Sequence, residues 1–211
     1  MRHTRTLQNI DPVLWGPSAW SLLHAISYHS SSSMDTIREL FEDLKILLPC
    51  SKCQASYTRH IDILPFPVRR DSLFKWLYEL HHRINSSLQT PNMIDTPPYE
   101  IVKKTWKGQH GIDKGRQDSW RFLFFLGMMF PSFHEREKKE RYQEALLHWI
   151  TEIVKTLWTE DSLPTKNDMH SRTAFIKWLT EKYKHYHNTA PPRYFLKDPN
   201  AMKSCSKTCK I

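Results

Sequence analysis

Cys50-Ser-Lys-Cys53 is the sharpest chemical signal in this chain of 211 residues. The spacing lets two sulfurs close a small disulfide, and Pro49 ends one helix so that Cys50 falls near the start of the next. At a helix start, backbone N–H groups and the helix dipole favour thiolate, and Lys52 adds a positive charge. Such a pair can exchange electrons with substrate dithiols. The same spacing is also half a zinc site, for which His60, His81 or the second pair, Cys205 and Cys209, could supply further ligands. Cys205-Ser-Lys-Thr-Cys209 lies in residues 189–211, a segment poor in apolar residues that reads as an extended tail.

Flat and hydrogen-bonding side chains flank the first pair. Trp20, His24 and Tyr28 stand at four-residue steps and share a helix face. His81 and Asn85 are also four apart, with His82 beside them and Trp76 upstream. Taken singly, each is an ordinary core ring or boundary polar residue. Taken together around a C-x-x-C, they suit a flat heteroaromatic cofactor with a phosphate tail. A flavin is such a group, and it can pass on electrons that thiols alone deliver poorly to dioxygen.

The elements that must position these residues are helical, and the fold class is all-α. Apolar spacing predicts helices near 17–29, 35–48, 50–60, 72–85, 99–106, 118–130, 134–157 and 168–187. Pro17 suits the first turn of the first helix, and Asp35 can cap the second. Residues 107–114 hold two of the five glycines and read as a separator between two halves. The domains expected are 1–108, 109–188 and a tail, 189–211.

So few glycines argue against a nucleotide-binding α/β fold, and neither G-x-G-x-x-G nor a P-loop motif is present. The formal net charge of +9 comes from lysines and arginines scattered among acids, as in Glu135-Arg136-Glu137-Lys138-Lys139-Glu140-Arg141. We read them mostly as solvated helix faces, with no specific nucleic-acid site, and some as available to an anionic cofactor. No apolar run approaches the ~18 residues that span a bilayer, and the start, MRHTRTLQNI, lacks a signal-peptide core. The expectation is a protein without a membrane span that is not secreted.

The halves are similar to each other. R70-D-S-L-F-K-W-L-Y-E matches R172-T-A-F-I-K-W-L-T-E, and S18-A-W-S-L-L matches D118-S-W-R-F-L, at nearly equal offsets. The second copy has Phe124 where the first has His24 and no cysteine pair in its middle. It reads as a degenerate duplicate that kept packing residues; convergence of two amphipathic helices by composition is the bland alternative.

W15-G-P-S-A-W20-S-L-L-H24, L48-P-C-S-K-C53-Q-A-S-Y and W76-L-Y-E-L-H81-H-R-I-N85 together resemble the Erv/ALR family of FAD-linked sulfhydryl oxidases over about residues 13–108. The resemblance implies a small helical bundle cradling FAD, with Trp20, His24, Tyr28, Tyr57, Trp76, His81, His82, Asn85 and Trp106 as cofactor-binding residues. It implies that Cys53 faces the flavin and that Cys50 is the outer, attacked sulfur. Cys205 and Cys209 would be an arm carrying electrons from protein dithiol substrates, with dioxygen as acceptor and hydrogen peroxide as product. It further implies a homodimer. Departures include Pro17 after Gly16, His82 where Asn is usual, Tyr57 where His is usual, Tyr99 in place of a structural cysteine and Thr105 in place of a basic residue. The doubled half and missing staple resemble members from large DNA viruses, which places the protein in cytosol or a virus particle. Two competing readings stay open: a zinc-stabilised helical binding module, and a catalytically inactive structural homologue.

Overall fold

The computed structural model describes residues 10–87, 96–131, 136–158 and 163–193. Among them the regular structure is helical: α1 (Pro12–His29), α2 (Met34–Leu47), α3 (Ser51–Ile63), α4 (Arg70–Ser87), α5 (Tyr99–Trp106), α6 (Gln109–Met128), α7 (Arg136–Ile153) and α8 (Arg172–His187). A π-helical turn, Val154–Trp158, continues α7. The all-α expectation holds.

α1 is the central element, buried along most of its length from Trp15 to Ser27. It begins at Pro12, five residues before the sequence pattern suggests, because Asp11 accepts a hydrogen bond from the Val13 N–H (3.0 Å) and caps it. Pro17 therefore sits inside the helix. The carbonyl it leaves unbonded belongs to Val13, which is exposed and open to water. Ser33, not Asp35, caps α2: its hydroxyl accepts from the Thr36 N–H. Asp35 instead lies in the first turn, where a carboxylate suits the dipole.

The expected separator over 107–114 is two residues long, Lys107 and Gly108. Gly108 takes φ +73°, a left-handed conformation that glycine enters without a Cβ clash. Gly111 and Gly115 are helical and lie where backbones approach. A Cβ at Gly111 would stand 2.2 Å from the Trp106 carbonyl oxygen, and one at Gly115 2.3 Å from the Ala25 Cβ. These glycines let α6 lie against α1, its most extensive neighbour, with Trp15 and Phe122 in ring contact farther along. Around this pair, α2 packs on α7, α1 on α4, and α6 on α8.

Two arginines that open helices make similar bonds. Arg70, opening α4, donates to the Ser30 carbonyl (3.0 Å) and to that of Ser32, just past α1. Arg172, opening α8, donates to the Phe130 carbonyl (3.4 Å) just past α6. A buried polar tie also joins the halves: Ser32 Oγ donates to the buried Glu152 carboxylate (2.7 Å) and accepts from Lys155 Nζ (2.7 Å).

Candidate functional site

Cys50 is the N-cap of α3, in extended conformation, and its Sγ accepts from the Cys53 N–H at 3.3 Å. Both cysteines are free thiols. The helix start does what the sequence suggests. The Cys53 thiol, the backbone N–H groups of Cys53 and Lys52, and the Lys52 charge together hold the Cys50 thiol down at about 7. Cys53 is shifted the opposite way, its pKa pushed up by its hydrogen bond to Cys50, by burial and by the Cys50 and Asp11 charges.

The two sulfurs differ in access. Cys53 is half-buried and lines a cavity of about 910 Å³, whereas Cys50 is fully buried and does not. The segment before α1 crosses here: the Ile10 N–H donates to the Pro49 carbonyl (2.8 Å), and the Trp15 indole N–H donates to the Ile10 carbonyl (3.1 Å).

The cavity is walled by one face each of α1, α3 and α4 and by α5. From α1 come Gly16, Pro17, Trp20, Ser21 and His24; from α3, Cys53, Ser56, Tyr57 and His60; from α4, Tyr78, His81 and Asn85; from α5, Trp106. Trp20 stacks on His81 (centroids 3.9 Å apart, 12° between planes), and His24 stacks on Trp106 (5.6 Å, 17°). The imidazoles of His24 and His81 meet through Nε2 and Nδ1 at 3.3 Å, so one donates and the other accepts. Burial, helped by its His81 neighbour, lowers His24 to about 3; burial and the His82 charge lower His81 to about 4. Both are neutral at physiological pH. Ser21 Oγ, His24 Nδ1 and His60 Nδ1 are buried at this wall without a hydrogen-bond partner among the described residues. Tyr57 presents its ring to the cavity but its hydroxyl donates to the Phe41 carbonyl (2.9 Å).

Of the candidate residues, Trp20, His24, Cys53, Tyr57, His81, Asn85 and Trp106 are thus brought together. Tyr28, Trp76 and His82 do not line the cavity. Tyr28 packs edge-on against Phe74. Trp76 is a core ring between Phe41 and Phe66, its N–H donating to the Leu64 carbonyl. His82 faces outward and meets Thr96 Oγ1 at 3.1 Å. Cys205 and Cys209 lie outside the described residues. Sequence reasoning missed Ser56 and His60 as cavity residues. With Cys53 and Tyr57 they follow an i, i+3, i+4, i+7 pattern, a face that is polar and so invisible to a search for apolar stripes. Among the described residues no group of three or more His, Cys, Asp or Glu side chains is gathered as a metal site, so the zinc alternative finds no completed ligand set there.

The structure is thus a helical bundle in which Cys53 of a helix-capping cysteine pair faces a ring-walled cavity, and comparison with known proteins narrows its class. Residues 17–107 match the model of the Erv1 / Alr family. Proteins named as FAD-linked sulfhydryl oxidases are similar to it. That of Invertebrate iridescent virus 3 is 27% identical over 48% of this chain and 74% of its own length. That of Invertebrate iridescent virus 6 is 28% identical over 48% and 99%. The mitochondrial enzyme ERV1 of Saccharomyces cerevisiae is 29% identical over 51% and 59%. No solved structure matches.

Proposed function

We propose that this chain is an FAD-linked sulfhydryl oxidase that forms disulfides in protein dithiols. One observation carries the reading: Cys53 of the C-x-x-C opens into a cavity of about 910 Å³ walled by stacked rings. That size suits a large organic ligand. The unpartnered Ser21 Oγ, His24 Nδ1 and His60 Nδ1 would otherwise carry a desolvation cost, and a heteroaromatic group rich in polar ring atoms can satisfy them. Lys52 and Arg59 at the wall suit an anionic tail. The residues present fit FAD.

In the proposed cycle a substrate thiolate, direct or relayed by Cys205 and Cys209, attacks Cys50 of the Cys50–Cys53 disulfide. A mixed disulfide forms and Cys53 leaves as thiolate. The second substrate thiolate then attacks the substrate sulfur and frees Cys50, so the substrate loses two electrons and the pair gains them. Lys52 and the first turn of α3 hold the Cys50 charge, and Cys53 takes up the proton. Bound FAD would supply the two-electron acceptor for this dithiol and a path to dioxygen, giving hydrogen peroxide. Trp20, His24, His81 and Trp106 would hold it flat beside Cys53, with neutral imidazoles as hydrogen-bonding partners. Because Cys50 is buried behind the Ile10–Pro49 contact, attack on it requires that segment to move.

The second half supports a further reading. α6 covers α1 and α7 covers α2, and Arg172 repeats the capping bond of Arg70. We read 109–188 as a degenerate duplicate that stands where a partner copy would stand, so that the chain is its own dimer. No helix among the described residues is long and apolar enough to cross a membrane, and the viral relatives favour the cytosol or particle of a large DNA virus as its place.

An absorbance spectrum before and after anaerobic addition of a dithiol tests the function. A flavin spectrum that bleaches with dithiol and returns with air is expected. Cys53→Ser should keep the bound flavin and stop the bleaching. A colourless protein that takes up no added FAD, or fast bleaching in Cys53→Ser, would reject the assignment.

A further inference from the structure

We infer that Lys114, on a helix of the second half, supplies a positive charge to the cofactor cavity of the first. The inference deepens the FAD reading above and rests on it. Among the described residues every other part of the cavity wall lies between Pro12 and Trp106, and Lys114 alone comes from α6. Its position follows from the two close-packed glycines. Gly111 sets the first turn of α6 against the Trp106 carbonyl, and Gly115 sets the next turn against Ala25, which places Lys114 between them beside the cavity.

The charge arrangement gives this placement a purpose. The α5 wall consists of Ile101, Val102, Thr105 and Trp106 and carries no ionic group. The cations Lys52 and Arg59 belong to α3, on the side of Cys53. A ligand with an anionic diphosphate enters a cavity lined largely by rings and aliphatic chains, where an unpaired charge is costly and a paired one is strengthened. Lys114 is the cation on the α5–α6 side. Its Nζ rests 3.0 Å from Asp118 Oδ2, one turn along the same helix, and both side chains keep access to solvent. An incoming phosphate therefore competes for an ammonium that is already held at the wall.

FAD titration into flavin-depleted full-length chain, followed by flavin fluorescence, tests the inference at low and high salt. Lys114→Gln should raise the Kd for FAD about tenfold at low salt, the size of one charge-assisted hydrogen bond. The difference should shrink at high salt. Lys114→Arg should bind near the original affinity, and Asp118→Asn, which releases the lysine and removes a negative charge, should bind more tightly. Lys75→Gln, an exposed position on α4 away from the wall, is the control for overall charge. Equal FAD affinity in the unsubstituted chain and Lys114→Gln would overturn the inference and leave the FAD reading intact. Equal weakening by Lys75→Gln and Lys114→Gln would do the same. Failure of the unsubstituted chain to bind FAD would overturn both.

Discussion

At the scale of single residues, the site sets two protonation states against each other. A thiol lowered to about 7 beside one that keeps its proton makes Cys50 the reactive sulfur of the reduced pair whenever it is reached. Alkylation of Cys50 in reduced protein, followed by mass spectrometry across pH, should rise with a midpoint of about 7, while Cys53 stays slow. The histidines act in the opposite direction. Their folded values, about 3 for His24 and about 4 for His81, lie below the ordinary 6.5, so the unfolded chain binds more protons. Their contribution to stability is complete above about pH 6.5 and is lost as pH falls from there through 4 towards 3. Thermal unfolding measured across acidic pH should show this loss, and His24→Phe should flatten it. Much of the site is legible at this scale, because a C-x-x-C beside a helix stop needs no tertiary information. The misplaced rings show what is not. Four-residue steps advance about 40° around a helix beyond a full turn. Trp20 and His24 can therefore share a wall while Tyr28 has rotated off it. Trp76 and His82 lie on other faces of the helix that presents His81 to the cavity.

At the scale of elements, composition misled where glycine was read as a sign of a linker. Gly111, inside the expected separator, marks close approach to Trp106 and His29 instead, and Gly115, just past it, meets Ala25 of α1, a partner far away in the chain. Gly115→Ala should destabilise the protein by about 1–3 kcal/mol, the usual cost of forcing a methyl group into a packed interface. Urea unfolding will measure it, and Ala25→Gly in the same chain should return part of the loss, since the clash is between two Cβ atoms. Helix existence was readable throughout from apolar spacing. Helix starts were not, because Asp11 and Ser33 win the capping positions through local hydrogen bonds that several nearby polar residues could have made. Lys114 was illegible for a related reason: its role follows from the seating of α6 on α1, and nothing in its own neighbourhood announces it.

At the scale of the whole molecule, the two halves share one core, which runs from Ile10 through Leu179 without a break between them. With α1 and α2 already covered by α6 and α7, the chain should sediment as a monomer of 25.2 kDa carrying one FAD. Sedimentation velocity combined with the flavin-to-protein absorbance ratio checks both. A tight dimer would show that the covered helices leave another face for association, and would remove the reading of the second half as an internal partner.

The π-helical turn that ends α7 gives this stoichiometry a physical basis. The extra residue per turn brings Trp158 over Trp120, with centroids 3.8 Å apart and planes 14° from parallel. Trp120 is the counterpart of Trp20 by sequence offset, and Tyr183 and His187 close around it at the positions matching His81 and Asn85. The Trp158 indole N–H donates to Ser119 Oγ (2.9 Å), and the Tyr186 hydroxyl donates to the Trp158 carbonyl, so the Trp158 ring is clamped rather than resting there. A side chain of the chain itself thus fills the space over Trp120, whereas Trp20 borders an open cavity. Such a plug holds the space closed as a unit. Opening that space would mean losing a fully buried tryptophan and its supports together, and each loss alone would weaken the core that lies under both halves.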